Sequence, residues 1–361
     1  MINHRGPEFG ELLKETTRGV QEILKTSNTV LTFPAAGTGA MEAAAANLTT
    51  PGGRVLVGVA GEFGARFAEI LRVGGADVAI VKSEPGYPVS PEAIRDALHT
   101  DRSITTVVVT HNETSTGVTM DLAGIRAVID REDVLLVVDA VSSAGAIDIE
   151  TDGWGIDVLV TASQKALMCP PGLAFVTVSP KAWDRVEKTR ARSVYFSFAN
   201  ARKFLEKPTP QTPYTPAVSL LFSLREAVCQ ILAEGLDAVF ARHALLARAT
   251  RAGVRALGLE LLAADEWASN TVTAVKLPAG VDGHKLLEML RDRYGVILAG
   301  GMGELAGKIF RIGHVGAVNW SDILVTLSAL QMALADLGVK GAHGAAVAAA
   351  ERVFSEQGWP L

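Results

Sequence analysis

The sequence predicts an α/β protein: a mostly parallel sheet of seven strands flanked by helices, followed by a smaller C-terminal α+β unit. Three observations carry that prediction. Short β-branched runs recur through the first half of the chain and alternate with segments of helical period. The runs are apolar throughout rather than at every second position, as strands buried on both faces are. After residue 179 the texture changes, and strand-like runs become sparse.

The strand runs are NTVLTF (Asn28–Phe33), RVLVGVA (Arg54–Ala60), DVAIVK (Asp77–Lys82), ITTVVVTH (Ile104–His111), VLLVVDA (Val134–Ala140), VLVTAS (158–163) and LAFVTVS (173–179). Between them lie helical segments: GAMEAAAANL, GARFAEILRVGG, SPEAIRDALHT and DLAGIRAVIDRE. In SPEAIRDALHT, Ser90 is placed to cap the helix and Pro91 suits its first position. The Pro- and Thr-rich stretch EKPTPQTPYTPAVS then leads into helical sequence from about Leu220 to Leu257. The remainder reads as strand NTVTAVKLP, helix GHKLLEMLRDRYG, strand KIFRIGH and helix NWSDILVTLSALQMALADLG, with a last helical run, GAAVAAAERVF, packed back on the body. The expected domains are therefore 1–257, with an N-terminal and an interdomain helix, and 258–361.

Bulk composition narrows the function class. A chain of 361 residues, 48% hydrophobic and 20% charged, has the make-up of a folded enzyme with core enough for two domains. A net charge of −5 argues against a nucleic-acid binder, whose affinity rests on neutralising phosphates. The one basic and aromatic patch, EKTRARSVYFSFANARKF (Glu187–Phe204), reads as a solvated loop or a subunit contact. Cys169 and Cys229 are too few for a disulfide framework and lack metal-ligand spacing, so no metal site is expected. The start, MINHRGPEFGELLKETTRG, has no apolar signal core, and the apolar runs are too short to span a membrane. The expected compartment is the cytoplasm.

In open parallel sheets ligands bind beyond the carboxyl ends of the strands. Four of those ends carry unusual residues. Gly37-Thr38-Gly39 follows the first strand and opens a helix, which suits either an ordinary turn or an anion on the helix N-terminus. Asp139 ends the apolar run VLLVVDA, where an ionised carboxylate needs a cation, unless it serves as a cap. His111-Asn112-Glu113-Thr114-Ser115-Thr116-Gly117 is a polar run at a third strand end, and Lys165 sits just past a fourth. An anion cup, a carboxylate, a lysine and hydroxyls together match pyridoxal phosphate. Its phosphate wants the helix start, its ring nitrogen a buried carboxylate and its aldehyde an amine.

The stretch VDAVSSAGAIDIETDGWGIDVLVTASQKALMCPPGLAFV resembles the core of the alanine–glyoxylate and serine–pyruvate aminotransferases, the class V branch of the fold-type I enzymes that use pyridoxal phosphate. HNETSTGV, SQKAL followed by PPG, and RIGHVG are similar to that family's signatures, and the likeness runs from about Asn3 onward. The resemblance implies a role for each matching position. Lys165 is the lysine that joins the cofactor's aldehyde and later carries the Cα proton, and Asp139 pairs with the ring nitrogen. Gly37, Thr38, Gly39 and Gln164 fall at the phosphate, Phe63 stacks on the ring, and Thr114 lies near the ring oxygen. Arg311 grips the substrate carboxylate. Thr215 reaches the phosphate of a second subunit, which makes a homodimer with a shared active site. Thr212 stands where some members have a phosphate-contacting tyrosine, and Tyr214 is two residues away. The family's N-terminal Gly-Pro segment that borders the substrate is expected to be absent or supplied differently.

The implied activity is ping-pong transfer of an amino group from a small amino acid, alanine or serine, to glyoxylate or pyruvate. Two rivals remain on the same fold. A lyase or desulfurase would want a mobile cysteine far downstream of the lysine, and none follows Cys229. A non-catalytic, hydrogenase-associated subunit is the other, since the Ala-rich tail resembles such members.

Overall fold

The computed structural model describes residues 2–339 and 343–358. The first half alternates strand and helix: α1 (Pro7–Ile23), β1 (Thr29–Phe33), α2 (Gly37–Leu48), β2 (Arg54–Val59), α3 (Glu62–Val73), β3 (Asp77–Lys82), α4 (Pro91–Thr100) and β4 (Thr106–Thr110). A two-strand hairpin, β5 (Asn112–Glu113) and β6 (Val118–Thr119), precedes α5 (Leu122–Ala127), β7 (Leu135–Asp139), β8 (Val158–Ala162) and β9 (Ala174–Val178). Helices α6 (Pro180–Lys188), α7 (Phe198–Leu205), α8 (Val218–Glu234) and α9 (Leu236–Ala256) follow. The chain continues through β10 (Val272–Lys276), α10 (Gly283–Tyr294), β11 (Ala299–Gly300), β12 (Ile309–Gly313), α11 (Trp320–Asp336) and α12 (Ala345–Glu356).

The main sheet has the order β1-β9-β8-β7-β4-β2-β3. Its pairs from β8 to β3 are parallel, while β9 runs antiparallel to both β1 and β8. This is the mostly parallel seven-stranded sheet that the runs predict. Period-2 alternation sends Val107, Val109, Leu136 and Val138 to one face, with α1, α4, α5 and α8. Val108, Leu135 and Val137 go to the other, with α2, α3, α6 and α7. Burial on both faces is why the centres of these strands are continuously apolar and betray no period. A second, three-stranded antiparallel sheet, β10-β12-β11, has its own core with α10, α11 and α12.

Local chemistry sets the helix ends. Ser90 caps α4 through the Ala93 N–H at 3.2 Å, with Pro91 first in the helix, as the sequence predicts. Asn319 and Asp322 close a reciprocal capping box on α11. The helical stretch expected near 220–257 is two helices, because Gly235 takes φ +86° and turns the chain between α8 and α9. Helix α5 is shorter than DLAGIRAVIDRE suggests. Beyond it the chain turns so that Arg131 reaches the Ile104 carbonyl at 3.0 Å and pairs with Asp133. The basic and aromatic patch is the end of α6, a connecting loop and most of α7. No helix among the described residues is long and apolar enough to cross a membrane.

Candidate active site

Topology brings the reactive residues to one rim of the sheet. Asp139 closes β7, and β8 ends at Ala162, so Lys165 lies on the turn that follows. Asp139 is only 3% exposed. Its Oδ1 accepts the Val141 N–H at 3.0 Å, while among the described residues Oδ2 has only the Thr110 hydroxyl at 3.5 Å. Burial pushes its pKa up to about 7, and the charge of Glu113 adds to the rise; the Val141 N–H, Thr110 and Arg66 oppose it. A buried carboxylate so thinly partnered calls for a charged N–H donor.

Lys165 has the complementary bias. Burial and the charge of Arg311 hold its pKa below the ordinary lysine value, with Asp139 opposing. More of it is therefore free amine, the form that attacks a carbonyl. Arg311 projects from β12, donating Nε to the Gly300 carbonyl at 2.9 Å and Nη1 to the Thr114 carbonyl at 3.1 Å. Its Nη2 has no acceptor among the described residues, which leaves one edge of the fork for a carboxylate.

The start of α2 fits an anion. Its N-cap is Ala36, which has no side chain to cap with. The Gly39 N–H is already given to the Ala36 carbonyl at 2.8 Å, but those of Gly37 and Thr38 have no partner among the described residues. A methyl on Gly37 would stand 2.7 Å from Val141, and one on Gly39 2.6 Å from Ala35, so the close turn needs both glycines. Beside Lys165, the amide oxygen of Gln164 is buried without a partner. The two ends of an amide exchange by a flip, so that position presents an N–H to a phosphate equally well. The Phe63 ring, half-buried, has the Arg66 guanidinium 4.8 Å from its centre. An orphaned amide, an uncapped helix start and a carboxylate without a cation are what pyridoxal phosphate would complete.

Contacts within the chain do not bring Thr215 to this cluster; it is exposed on the loop before α8. Nearby, the Tyr214 hydroxyl donates to the Val194 carbonyl at 3.1 Å, and its ring stacks on Tyr195 at 5.3 Å. The Thr212 hydroxyl donates to the Tyr214 carbonyl at 2.6 Å. Both hydroxyls are thus engaged inside the chain.

Two features escape a reading of the sequence. Glu113, inside HNETSTG, ties that run to the start of α3. The other is a clamp on the lysine turn. Gly316, at φ +85°, lies so close that a methyl there would be 3.1 Å from the Lys165 carbonyl oxygen. Its N–H donates to His243 Nε2 at 3.0 Å, and its carbonyl accepts Arg242 Nη1 at 2.9 Å. Because Nε2 accepts, Nδ1 carries the proton and donates to the Val239 carbonyl at 2.7 Å. Gly316 has a local signal in RIGHVG; His243, one residue of a long helix, has none.

Such a set of residues at one sheet rim suits an α/β enzyme whose chemistry runs through an amine. The family model Aminotransferase class-V matches residues 1–310. A soluble hydrogenase small subunit from a Synechococcus strain is 44% identical over 98% of this chain and 92% of its own. A serine–glyoxylate aminotransferase from Methylorubrum extorquens is 39% identical over 98% of this chain and 90% of its own. The crystal structure of ureidoglycine–glyoxylate aminotransferase from Bacillus subtilis superposes with a TM-score of 0.94, at 31% identity, covering 98% of this chain and 92% of that one. The chain belongs to the class V aminotransferase family.

Proposed function

We propose that the chain is a pyridoxal-phosphate-dependent aminotransferase that moves an amino group from a small amino acid, alanine or serine, to glyoxylate or pyruvate. The observation that carries this reading is Asp139 and Lys165 at the ends of adjacent strands: a buried carboxylate with no cationic hydrogen-bond partner among the described residues, and an amine whose pKa burial holds below the ordinary lysine value. When bound, the cofactor supplies an electron sink for the carbanion at the donor's Cα. The chain's residues do the rest. Asp139 holds a proton on the ring nitrogen, and Phe63 covers one face of the ring. The start of α2 (Gly37, Thr38, Gly39) and Gln164 hold the phosphate, with Thr114 beside the ring oxygen. Arg311 grips the α-carboxylate, and the Lys165 amine takes and returns the Cα proton. Release of the first oxo acid before the second enters makes the cycle ping-pong. Relatives and structural neighbours named for glyoxylate support that acceptor.

The exposure of Thr215 suits service at a second subunit's phosphate, so the working form proposed is a homodimer. Its domains are proposed as 1–257 and 258–361, with α9 contributing Val239 to the first core and Leu246 to the third. Two free cysteines suit a reducing cytoplasm.

Protein loaded with pyridoxal phosphate should be mixed singly with alanine, serine, aspartate and other amines, without oxo acid. Loss of the yellow band with growth of the pyridoxamine phosphate band establishes transamination and names the donor. A band stable to every amine favours the non-catalytic role that the hydrogenase-subunit relative suggests. Lys165→Ala should fold yet turn over at least about a thousandfold more slowly; turnover near the wild-type rate overturns the assignment.

A further inference from the structure

We propose that Glu113 is a positioning residue that sets Phe63 and Arg311 against each other, and so sets affinity for both cofactor and donor; this rests on the cofactor reading above. Glu113 is wholly buried. No lysine or arginine pairs with it among the described residues, and its partners are neutral donors. Oε2 accepts the N–H groups of Phe63 and Gly64 at 3.1 and 3.0 Å. Oε1 accepts the Ser115 N–H at 3.1 Å and the Ser115 hydroxyl at 2.6 Å. That hydroxyl oxygen in turn accepts the Glu62 N–H at 2.9 Å.

Three consecutive N–H groups at the start of α3 therefore end on Glu113 and Ser115. The helix has no cap of its own, since its N-cap is Gly61. A methyl at Gly61 would collide with Ser115 Oγ and the Glu113 side chain, so the two segments meet at the closest approach a backbone allows. A remote carboxylate on the positive end of a helix gains from both the macrodipole and charge-assisted hydrogen bonds.

Position follows from what lies on either side. Phe63 is held through its own N–H on one side of Glu113. On the other, the carbonyl of the next residue, Thr114, accepts Arg311 Nη1. One dipeptide thus fixes the aromatic ring and the carboxylate grip, which come from helix α3 and from the second sheet. The charge of Glu113 also reaches both Asp139 and Arg311.

Glu113→Gln keeps the size and one acceptor but turns an N–H₂ toward Ser115 or α3. The expected result is a rise of about tenfold or more in the Kd of cofactor-free protein for pyridoxal phosphate, read by absorbance titration. KM for the amino donor rises with it, while kcat stays within about threefold. Ser115→Ala keeps the carboxylate and removes one donor and the Glu62 acceptor; its Kd should rise about threefold. A lower Tm with Kd and KM unchanged makes Glu113 a merely structural residue and overturns the inference. If Glu113→Gln does not fold, Ser115→Ala decides by the same criterion. A wild type that binds no pyridoxal phosphate overturns the cofactor reading and this inference together. A wild type that binds it beside unchanged variants overturns this one alone.

Discussion

Asp139 is where folding takes a carboxylate out of water and gives it no cationic hydrogen-bond partner among the described residues. Its pKa rises from the ordinary 3.8 to about 7, so the native chain holds a proton that the unfolded chain releases between those values. The contribution of this one carboxyl to the stability of the cofactor-free protein therefore falls as pH rises from about 4 to 7 and stays low above that window. Asp139→Asn removes the penalty, because an amide oxygen still accepts the Val141 N–H. The variant without cofactor should gain roughly 2–4 kcal/mol over wild type at pH 8 and little at pH 4, while losing most activity. Urea unfolding at both pH values checks this, and equal stability at pH 8 counts against it. In the sequence Asp139 stood out as a costly charge at the end of an apolar run, while Lys165 took its proposed role from the resemblance to the class V aminotransferases. Glu113, inside the polar run HNETSTG, lies three residues past the end of β4, in the short β5, and nothing in that run singles it out from its neighbours.

Elements position these residues through their ends. The turn after β8 carries Lys165, and the segment after β12 presses on it at Gly316. Gly316→Ala must adopt φ +85° and place a methyl against the Lys165 carbonyl. Gly235→Ala is the matched control: its φ is +86°, but nothing lies within 4 Å of the added methyl. Both should lose about 1–2 kcal/mol to backbone strain. Only Gly316→Ala should slow kcat, by about tenfold, because only it moves the lysine. Equal kcat in the two variants would show that the clamp is idle. The seven strands of the main sheet were legible to within about two residues of their ends, because all but the edge strand β3 are largely buried and leave near-continuous apolar runs. The two-residue strands β5, β6 and β11 were too short to leave one. The break at Gly235 was not legible, since the apolar residues of α8 and α9 run on past it.

Across the whole molecule, three buried histidines outweigh Asp139 in acid. Burial lowers His111 and His243 to about 4 and His314 to about 3. Each is neutral when folded and protonated when unfolded between its native value and the ordinary 6.5, so each costs stability as pH falls through that range. Near pH 5 the unfolded chain gains about three protons on these histidines and gives up one from Asp139. The net uptake of about two corresponds to a loss of about 3 kcal/mol per pH unit. On these four groups the stability of cofactor-free protein should rise with pH up to about 7 and level off above it, and its Tm should drop steeply below pH 6. Proton uptake on unfolding at pH 5, measured by potentiometry, should be close to two; uptake near zero would mean that these histidines are not held neutral.

The sequence by itself determined the alternation of strand and helix, and the apolar runs at whose ends Asp139 and Lys165 stand. Each of these follows from local apolar runs and from charges that burial makes costly, and such information is local in the chain. Tertiary structure alone decided which distant residues meet. It brought Arg311 from the second sheet to the Thr114 carbonyl, placed Glu113 beneath Phe63, and set His243 behind the lysine turn. Those contacts join residues 50 to 197 positions apart, and hydrogen bonds across such distances leave no period or motif in the chain.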